Sequence, residues 1–298
     1  MKRNLFFIIT IFYILQPALS IEIQGHRGAR WVRPENTIPA FEYALEVGVD
    51  TLELDTLITK DGKVVVHHDP TLNSTICLDS NGKKIKTQIP IYSLTLKELK
   101  TYDCGTLVNP RFPEQIPQPK VTIPTLEEVL LWVKNSKHPV ANKVLFNIEA
   151  KSDINHPEFA PSPEEFVKLI ITEIKKQNLL SRVTLQSFDL RCLKAARELE
   201  PSLSLSVLLE DRPPGKEGLI QLIKDYKAQI LSPNFEWLKP QDVTALHKIG
   251  TRVIPWTPNS KKEWSELIEM GVDGIITDNP KELLNYITEF TAKELKNN

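Results

Sequence analysis

The sequence predicts an α/β fold in which short strands alternate with amphipathic helices around a parallel sheet. Three observations carry that prediction. Apolar, β-branched runs recur along the chain, the gaps between most of them show helical periodicity, and capping residues mark the helix starts. With 298 residues, 41% of them hydrophobic, the chain can bury a sizeable core. A (β/α)₈ barrel of about 250 residues is a common single-domain solution at this length.

The first twenty residues stand apart. Lys2 and Arg3 precede an almost wholly apolar run from Leu5 to Leu15, and Ala18-Leu19-Ser20 places small residues where a signal peptidase reads. This predicts a signal peptide over residues 1–20, cleavage before Ile21, and an exported protein, periplasmic or secreted. A membrane anchor is the alternative, but the run is shorter than the roughly 20 residues that span the hydrocarbon. Residues 21–298 are expected to form one barrel domain with no stable membrane span after cleavage.

Along that domain, strands are expected at Glu22–Gln24, Thr51–Asp55, Val64–His67, Val144–Glu149, Val183–Gln186, Leu203–Leu208, Gln229–Ser232, Val253–Trp256 and Gly274–Thr277. Helices are expected at Thr37–Val47, Leu126–Lys134, Pro163–Gln177, Leu190–Leu199, Pro240–Lys248, Lys262–Glu269 and Pro280–Thr291. Thr95-Leu-Lys-Glu98 and Thr125-Leu-Glu-Glu128 read as capping boxes, and Ser162-Pro163 places a cap before a first-turn proline. Nine strands exceed the eight of a closed barrel. The link from Asp55 to Val64 is too short for a helix, so one strand lies outside the ring or is joined irregularly.

Residues 70–124 lose the alternation and carry Pro90, Pro110, Pro113, Pro117 and Pro119. So long a structureless loop is improbable, which predicts a small inserted subdomain after the strand ending at His68. Barrel active sites lie at the C-terminal ends of the strands, so the insertion is expected over the mouth. Cys77 and Cys104 both fall in it and can pair in an oxidising compartment; two free, partly buried thiols are the alternative. A net charge of −1 gives no sign of nucleic-acid binding.

Strand periodicity sorts the polar residues. Glu53 and Asp55 share one face, as do Asn147, Glu149 and Lys151, while Leu52, Leu54, Phe146, Ile148 and Ala150 point the other way. Three carboxylates at one end of a barrel repel unless a cation joins them, and oxygen-only ligands favour Ca²⁺ or Mg²⁺ over zinc. His26 and His68 end strands and can supply a base and an acid near neutrality. His67 is expected to face away and pack. Arg27 and Lys151 supply donors for phosphoryl oxygens. Three carboxylates against a dication and two basic side chains leave one net positive charge, suited to a phosphodiester monoanion.

These motifs carry a family resemblance. His26-Arg27-Gly28, Pro34-Glu35-Asn36-Thr37, Glu53-Leu54-Asp55, His68-Asp69-Pro70, Asn147-Ile148-Glu149-Ala150-Lys151, Gln186-Ser187-Phe188 and Trp256-Thr257 resemble the glycerophosphodiester phosphodiesterase family. So does the closing segment Gly271–Asp278. The resemblance implies a (β/α)₈ TIM barrel with a small insertion after the His-Asp strand. It also implies metal ligation by Glu53, Asp55 and Glu149, acid–base work by His26 and His68, and phosphate contacts from Arg27 and Lys151. Glu35 would stand at the pocket rim as an outer metal ligand or an orienter, and Asn36 is placed to cap the helix from Thr37. Trp256 is either an apolar pocket wall for glycerol or a barrel-core aromatic. The implied reaction is metal-dependent hydrolysis of a small glycerophosphodiester to glycerol 3-phosphate and an alcohol.

Two other readings compete. A related barrel phospholipase, phospholipase C-like or sphingomyelinase D-like, would share paired histidines but act on membrane lipid; no Trp/Lys-rich amphipathic helix follows residue 20. A secreted pseudoenzyme that only binds a phospho-ligand would need no acid–base pair.

Overall fold

A computed structural model describes residues 21–297, so the expected signal peptide lies outside the described residues. Nine strands form: β1 (Glu22–Gly25), β2 (Thr51–Ile58), β3 (Val64–Val66), β4 (Leu145–Ala150), β5 (Val183–Ser187), β6 (Ser204–Leu209), β7 (Ile230–Pro233), β8 (Arg252–Val253) and β9 (Gly274–Thr277). Eight of them are parallel, in the order β8-β7-β6-β5-β4-β2-β1-β9. A parallel bridge between Trp256 and Ile276 joins the two ends and closes the ring. β8 is shorter than expected because Pro255 brings no N–H to the ladder; the chain follows the ring onward through Trp256.

The supernumerary strand is β3. It pairs antiparallel with the far half of β2, outside the ring. It ends at Val66 rather than His67, although His67 still donates its N–H to the Asp55 carbonyl. His68 therefore stands in the segment that enters the insertion.

Helices α1 (Ile38–Val47), α2 (Leu96–Leu99), α3 (Leu126–Asn135), α4 (Pro163–Lys176), α5 (Leu190–Leu199), α6 (Gly215–Tyr226), α7 (Pro240–His247), α8 (Lys261–Met270) and α9 (Pro280–Asn297) follow. Both threonine capping boxes form, and Ser162 caps α4. Asn36 does not cap α1: Thr37 does, accepting the Ala40 N–H, and the helix begins at Ile38. Helix α6 was not anticipated, since it starts after Pro213-Pro214 with no side-chain cap and carries glycines at 215 and 218.

Packing follows the two faces of the strands. Leu52, Leu54, Phe146, Ile148 and Ala150 point outward into the main core beneath the helices. The ring interior is divided. One side is polar: Asn147 donates to Gln24 and Gln186, and Ser206 pairs with Ser232. The other is apolar, made by Ile230, Ile254 and Ile276 with Trp256 above them.

The insertion has its own small core, in which Leu72, Ile76, Ile85, Ile91, Leu99 and Ile123 pack with Leu57 and Val65 of the barrel. A Cys77–Cys104 disulfide with Cα atoms 4.0 Å apart crosses it. The insertion is also tied to the β1–α1 loop. Gln115 donates to the Arg30 carbonyl at 2.5 Å, Ile116 N–H donates to the Val32 carbonyl, and Phe112 packs against Trp31. It thus roofs one side of the barrel mouth.

Candidate active site

The register that closes the ring also assembles the site. Pairing of β2 with β4 sets Glu53 beside Asn147 and Asp55 beside Glu149. One carboxylate oxygen from each of Glu53, Asp55 and Glu149 lies within 4.8 Å of the others, and all three residues are buried. Such crowding splits their protonation. Burial and the charges of Asp55 and Glu149 push Glu53 well above the usual carboxylate range. Burial also raises Glu149, against the pull of Lys151. At Asp55 the burial penalty is outweighed by Arg27, His68 and Lys151, which hold it well below that range. Three convergent carboxylate oxygens with no nitrogen or sulfur fit a hard divalent cation, which would displace the protons.

Two basic side chains sit against this cluster. Lys151 Nζ is 3.0 Å from Glu149 and 3.9 Å from Asp55. Arg27 Nη1 bonds Glu35 at 2.6 Å, and its Nε lies 3.2 Å from Asp55. Arg27 holds a left-handed φ of 51°, a conformation costing on the order of 1–3 kcal/mol. What it gains is a backbone N–H donated to Glu53 at 2.8 Å. Gly28 follows at φ 84°, where a Cβ would come within 2.7 Å of the Ala40 backbone; only glycine lets helix α1 approach so closely.

Glu35 is not part of the carboxylate cluster. It accepts from Arg27 and lies 3.9 Å from Arg30, and these two arginines outweigh its burial to hold it ionised. It orients Arg27. Asn36, at φ 56°, donates Nδ2–H to Asp55 at 2.8 Å and accepts the Asp55 N–H, so the residue expected to cap a helix instead fixes a carboxylate.

Each histidine rests on an aspartate. His26 Nδ1 is 2.6 Å from Asp278, which also accepts from Arg30 Nε and Asn259 Nδ2. Burial, aided by Arg30, pushes His26 down to about 4, so its ring is neutral over the physiological range. Its Nε2 points inward, 4.0 Å from Glu53. His68 Nδ1 is 2.7 Å from Asp69, which Asn73 also contacts; these bonds outweigh burial and lower Asp69 to about 2. His67 is buried with Nε2 unpartnered, turned away from its neighbour as strand alternation predicts.

His26, Arg27, Glu53, His68, Glu149 and Lys151 wall one cavity of about 560 Å³. Trp256 serves in both of its expected places. It packs on the apolar side of the ring and lines the cavity, donating Nε1–H to the Ser232 carbonyl and meeting Phe188 edge to face. Every residue singled out as a site residue in the sequence therefore reaches the same end of the barrel.

Besides Asn36 and the Asp69–Asn73 pair behind His68, four further positions were not foreseen as parts of the site. Arg30 and Asp278 build the His26 clamp, Asn259 supports it, and Gln186 donates to Glu53 at 2.9 Å. Gln186 and Asp278 stand in recognised motifs, which was the available signal. Nothing local marks Arg30 or Asn259.

The profile of the glycerophosphoryl diester phosphodiesterase family matches residues 26–282. A glycerophosphodiester phosphodiesterase of Caldanaerobacter subterraneus subsp. tengcongensis is 34% identical over 266 residues, 88% of this chain and 96% of that protein. One from Bacillus subtilis is 32% identical over 266 residues, covering 86% and 83% of the two chains. Among solved structures, a putative glycerophosphoryl diester phosphodiesterase from Silicibacter pomeroyi superposes with a TM-score of 0.85 at 28% identity, over 93% of this chain and 95% of that one. With a matched span that runs from the first site histidine to just past the aspartate that clamps it, the chain belongs to the glycerophosphoryl diester phosphodiesterase family.

Proposed function

We propose that this enzyme hydrolyses small glycerophosphodiesters to glycerol 3-phosphate and an alcohol, with Glu53, Asp55 and Glu149 holding a divalent cation, Ca²⁺ or Mg²⁺. The observation that carries the reading is the buried triad of carboxylates facing two aspartate-supported histidines across one cavity. The cation, when bound, polarises the phosphoryl oxygens and offsets charge that builds on them. Arg27 and Lys151 bind and orient the remaining phosphoryl oxygens. Glu35 keeps Arg27 aimed at them, and Trp256 gives the glycerol an apolar wall.

The neutral His26 is the base. With Nδ1–H donated to Asp278, the Nε2 lone pair faces the cavity and takes the proton of the attacking nucleophile, which in the net hydrolysis is water. His68 is the acid and protonates the oxygen that leaves phosphorus. The aspartate behind each ring sets its tautomer and stabilises its charged form.

Export as a periplasmic or secreted protein is part of the same proposal. The apolar run and the Ala18-Leu19-Ser20 site support it, and a disulfide in the insertion suits an oxidising compartment. Mature protein is expected to begin at or beside Ile21, read by N-terminal sequencing; exported protein still starting at Met1 refutes the cleavage. No described helix is long and apolar enough to cross a membrane.

The deciding assay incubates purified protein with glycerophosphocholine and with intact phospholipid vesicles, each with and without chelator. Chelator-sensitive release of glycerol 3-phosphate from the soluble diester supports the proposal. Turnover that survives exhaustive chelation refutes the metal, and cleavage of vesicles alone would favour a phospholipase.

A further inference from the structure

The polar side of the ring interior is a chain of hydrogen bonds with a direction. Asn147 Nδ2 donates to Gln24 Oε1 at 2.8 Å and to Gln186 Oε1 at 2.9 Å. Gln24 in turn donates to Glu22 at 2.8 Å, and Gln186 donates to Glu53 at 2.9 Å. Donation therefore runs from Asn147 two ways and ends each way on a carboxylate. Gln24, Asn147, Gln186 and Glu53 are each at most 3% exposed, so bulk water does not compete for these bonds. Barrel interiors are ordinarily filled by branched apolar side chains, so filling space does not require the amides.

The two ends fix the direction. Glu22 opens β1 at the far end of the barrel from the mouth, where it also accepts from Thr51 and Arg252. Glu53, as the ligand of a cation, carries no proton and can only accept. If the Asn147 amide turned over, its oxygen would face two amide oxygens. Gln24 and Gln186 would have to turn with it, and each would set an oxygen against a carboxylate. The observed arrangement has a cost, because Asn147 Oδ1 is buried with no partner among the described residues. Unmet buried polar atoms are rare in proteins, and each calls for a reason. Here both amide hydrogens are committed as donors, and the oxygen is left facing no donor.

Resting on the reading of Glu53 as a cation ligand, we propose that Asn147 is a positioning residue for the metal site, acting through Gln186. Asn147 does not line the catalytic cavity, whereas Gln186 and Glu53 do. Glu53 Oε2 is held by the Arg27 N–H at 2.8 Å and Oε1 by Gln186, so its carboxylate is set from both sides. Asn147 settles which end of the Gln186 amide faces Oε1. Without Asn147, Gln186 is free to present its oxygen, and the repulsion turns Glu53 out of line with Asp55 and Glu149.

The test is calorimetric titration of the metal-free protein with Ca²⁺ and with Mg²⁺, beside thermal melts of the same samples. Asn147→Leu and Gln186→Leu are each expected to weaken cation binding roughly 10–100-fold, as loss of a ligand's hydrogen-bond partner does. The double variant is expected to bind no more weakly than Gln186→Leu alone, because both changes break one path. Gln24→Leu leaves Asn147, Gln186 and Glu53 in contact and is expected to lose less affinity than Asn147→Leu. Asn147→Val, smaller and suited to a strand, repeats the comparison should the leucine variant not fold.

Parental affinity in Asn147→Leu or Asn147→Val overturns the proposal. So does a double variant whose losses multiply, since the two residues then act independently. A loss in Gln24→Leu equal to that in Asn147→Leu, with all melts lowered alike, overturns it as well and marks a general loosening of the interior. A parent that binds neither ion removes the metal reading itself, and the positioning role falls with it.

Discussion

The two histidines are held by the same device in two different settings. His26 leaves strand β1 and meets Asp278 at the end of β9, with 12% of its side chain exposed and Arg30 and Asn259 tied to the same aspartate. His68 meets Asp69, its immediate neighbour, with 31% of its side chain exposed and only Asn73 of the insertion behind that aspartate. The barrel wall is positioned by ladder register, whereas the insertion wall depends on a small core and one disulfide. One histidine is thus fixed by the ring itself, and the other by a segment with a separate small core.

The sharpest test of this contrast is to remove each ring. His26→Ala and His68→Ala should each cost roughly 10²–10⁴-fold in kcat, the usual worth of a proton-transfer group, with little change in substrate binding. His67→Ala, one residue away but facing the packed side, should lower the melting temperature and spare turnover. Near-parental rates in the first two variants with loss in the third would reverse the assigned faces.

Next comes the carboxylate floor, which belongs to the barrel wall. Gln186→Ala removes the donor to Glu53 and should weaken metal affinity roughly 10–100-fold, the range seen when partners of metal ligands are removed. Glu149→Gln should lower metal affinity more than it lowers folding stability. Titration with Ca²⁺ and with Mg²⁺, beside thermal melts of the metal-free protein, separates the two effects. A collapsed melt with unchanged affinity would make Glu149 a structural residue.

Breaking the disulfide probes the insertion wall. Closing a loop of 27 residues is worth roughly 3–4 kcal/mol in the chain-entropy picture. In Cys77→Ser/Cys104→Ser that loss should appear as faster amide exchange within residues 70–124 while the strands of the ring stay protected. Uniform loss of protection would show that the insertion and barrel unfold as one unit.

The smallest expected effect is on pH-dependent stability. Burial lowers His26 from 6.5 to about 4, so on acidification the unfolded chain takes up that proton before the folded one does. Its contribution is complete above pH 6.5 and is lost as pH falls from 6.5 toward 4. The raised carboxyls of Glu53 and Glu149 act in the opposite sense in metal-free protein, so the His26 contribution is read as a difference in slope between parent and variant. Denaturation across that window should show a less positive slope of stability against pH in His26→Asn than in the parent.

How legible these features are in the sequence depends on the distance over which each is encoded. Strand alternation alone separates Glu53 and Asp55 from Leu52 and Leu54, and sets His68 opposite His67. The capping boxes at Thr95 and Thr125 are encoded within four residues and form as read. The antiparallel pairing of β3 was bounded by the short link from Asp55 to Val64, though not its partner. The His26 clamp is a different case: its aspartate lies 252 residues away, and only the neighbouring of β1 and β9 joins them. Asn36 was misread because its residue type suits a cap, while its left-handed backbone, invisible in sequence, turns it to Asp55. Helix α6 escaped because glycines and prolines mask its start.

That separation of 252 residues has a consequence in time. Synthesis proceeds from the N-terminus, so His26 is among the first parts of the domain to emerge and Asp278 among the last. Until β9 is made and takes its place beside β1, His26 has no aspartate to set its tautomer, and the mouth of the barrel has an open edge beside the carboxylates. On the base role proposed for His26, activity waits for closure of the ring, at the end of synthesis.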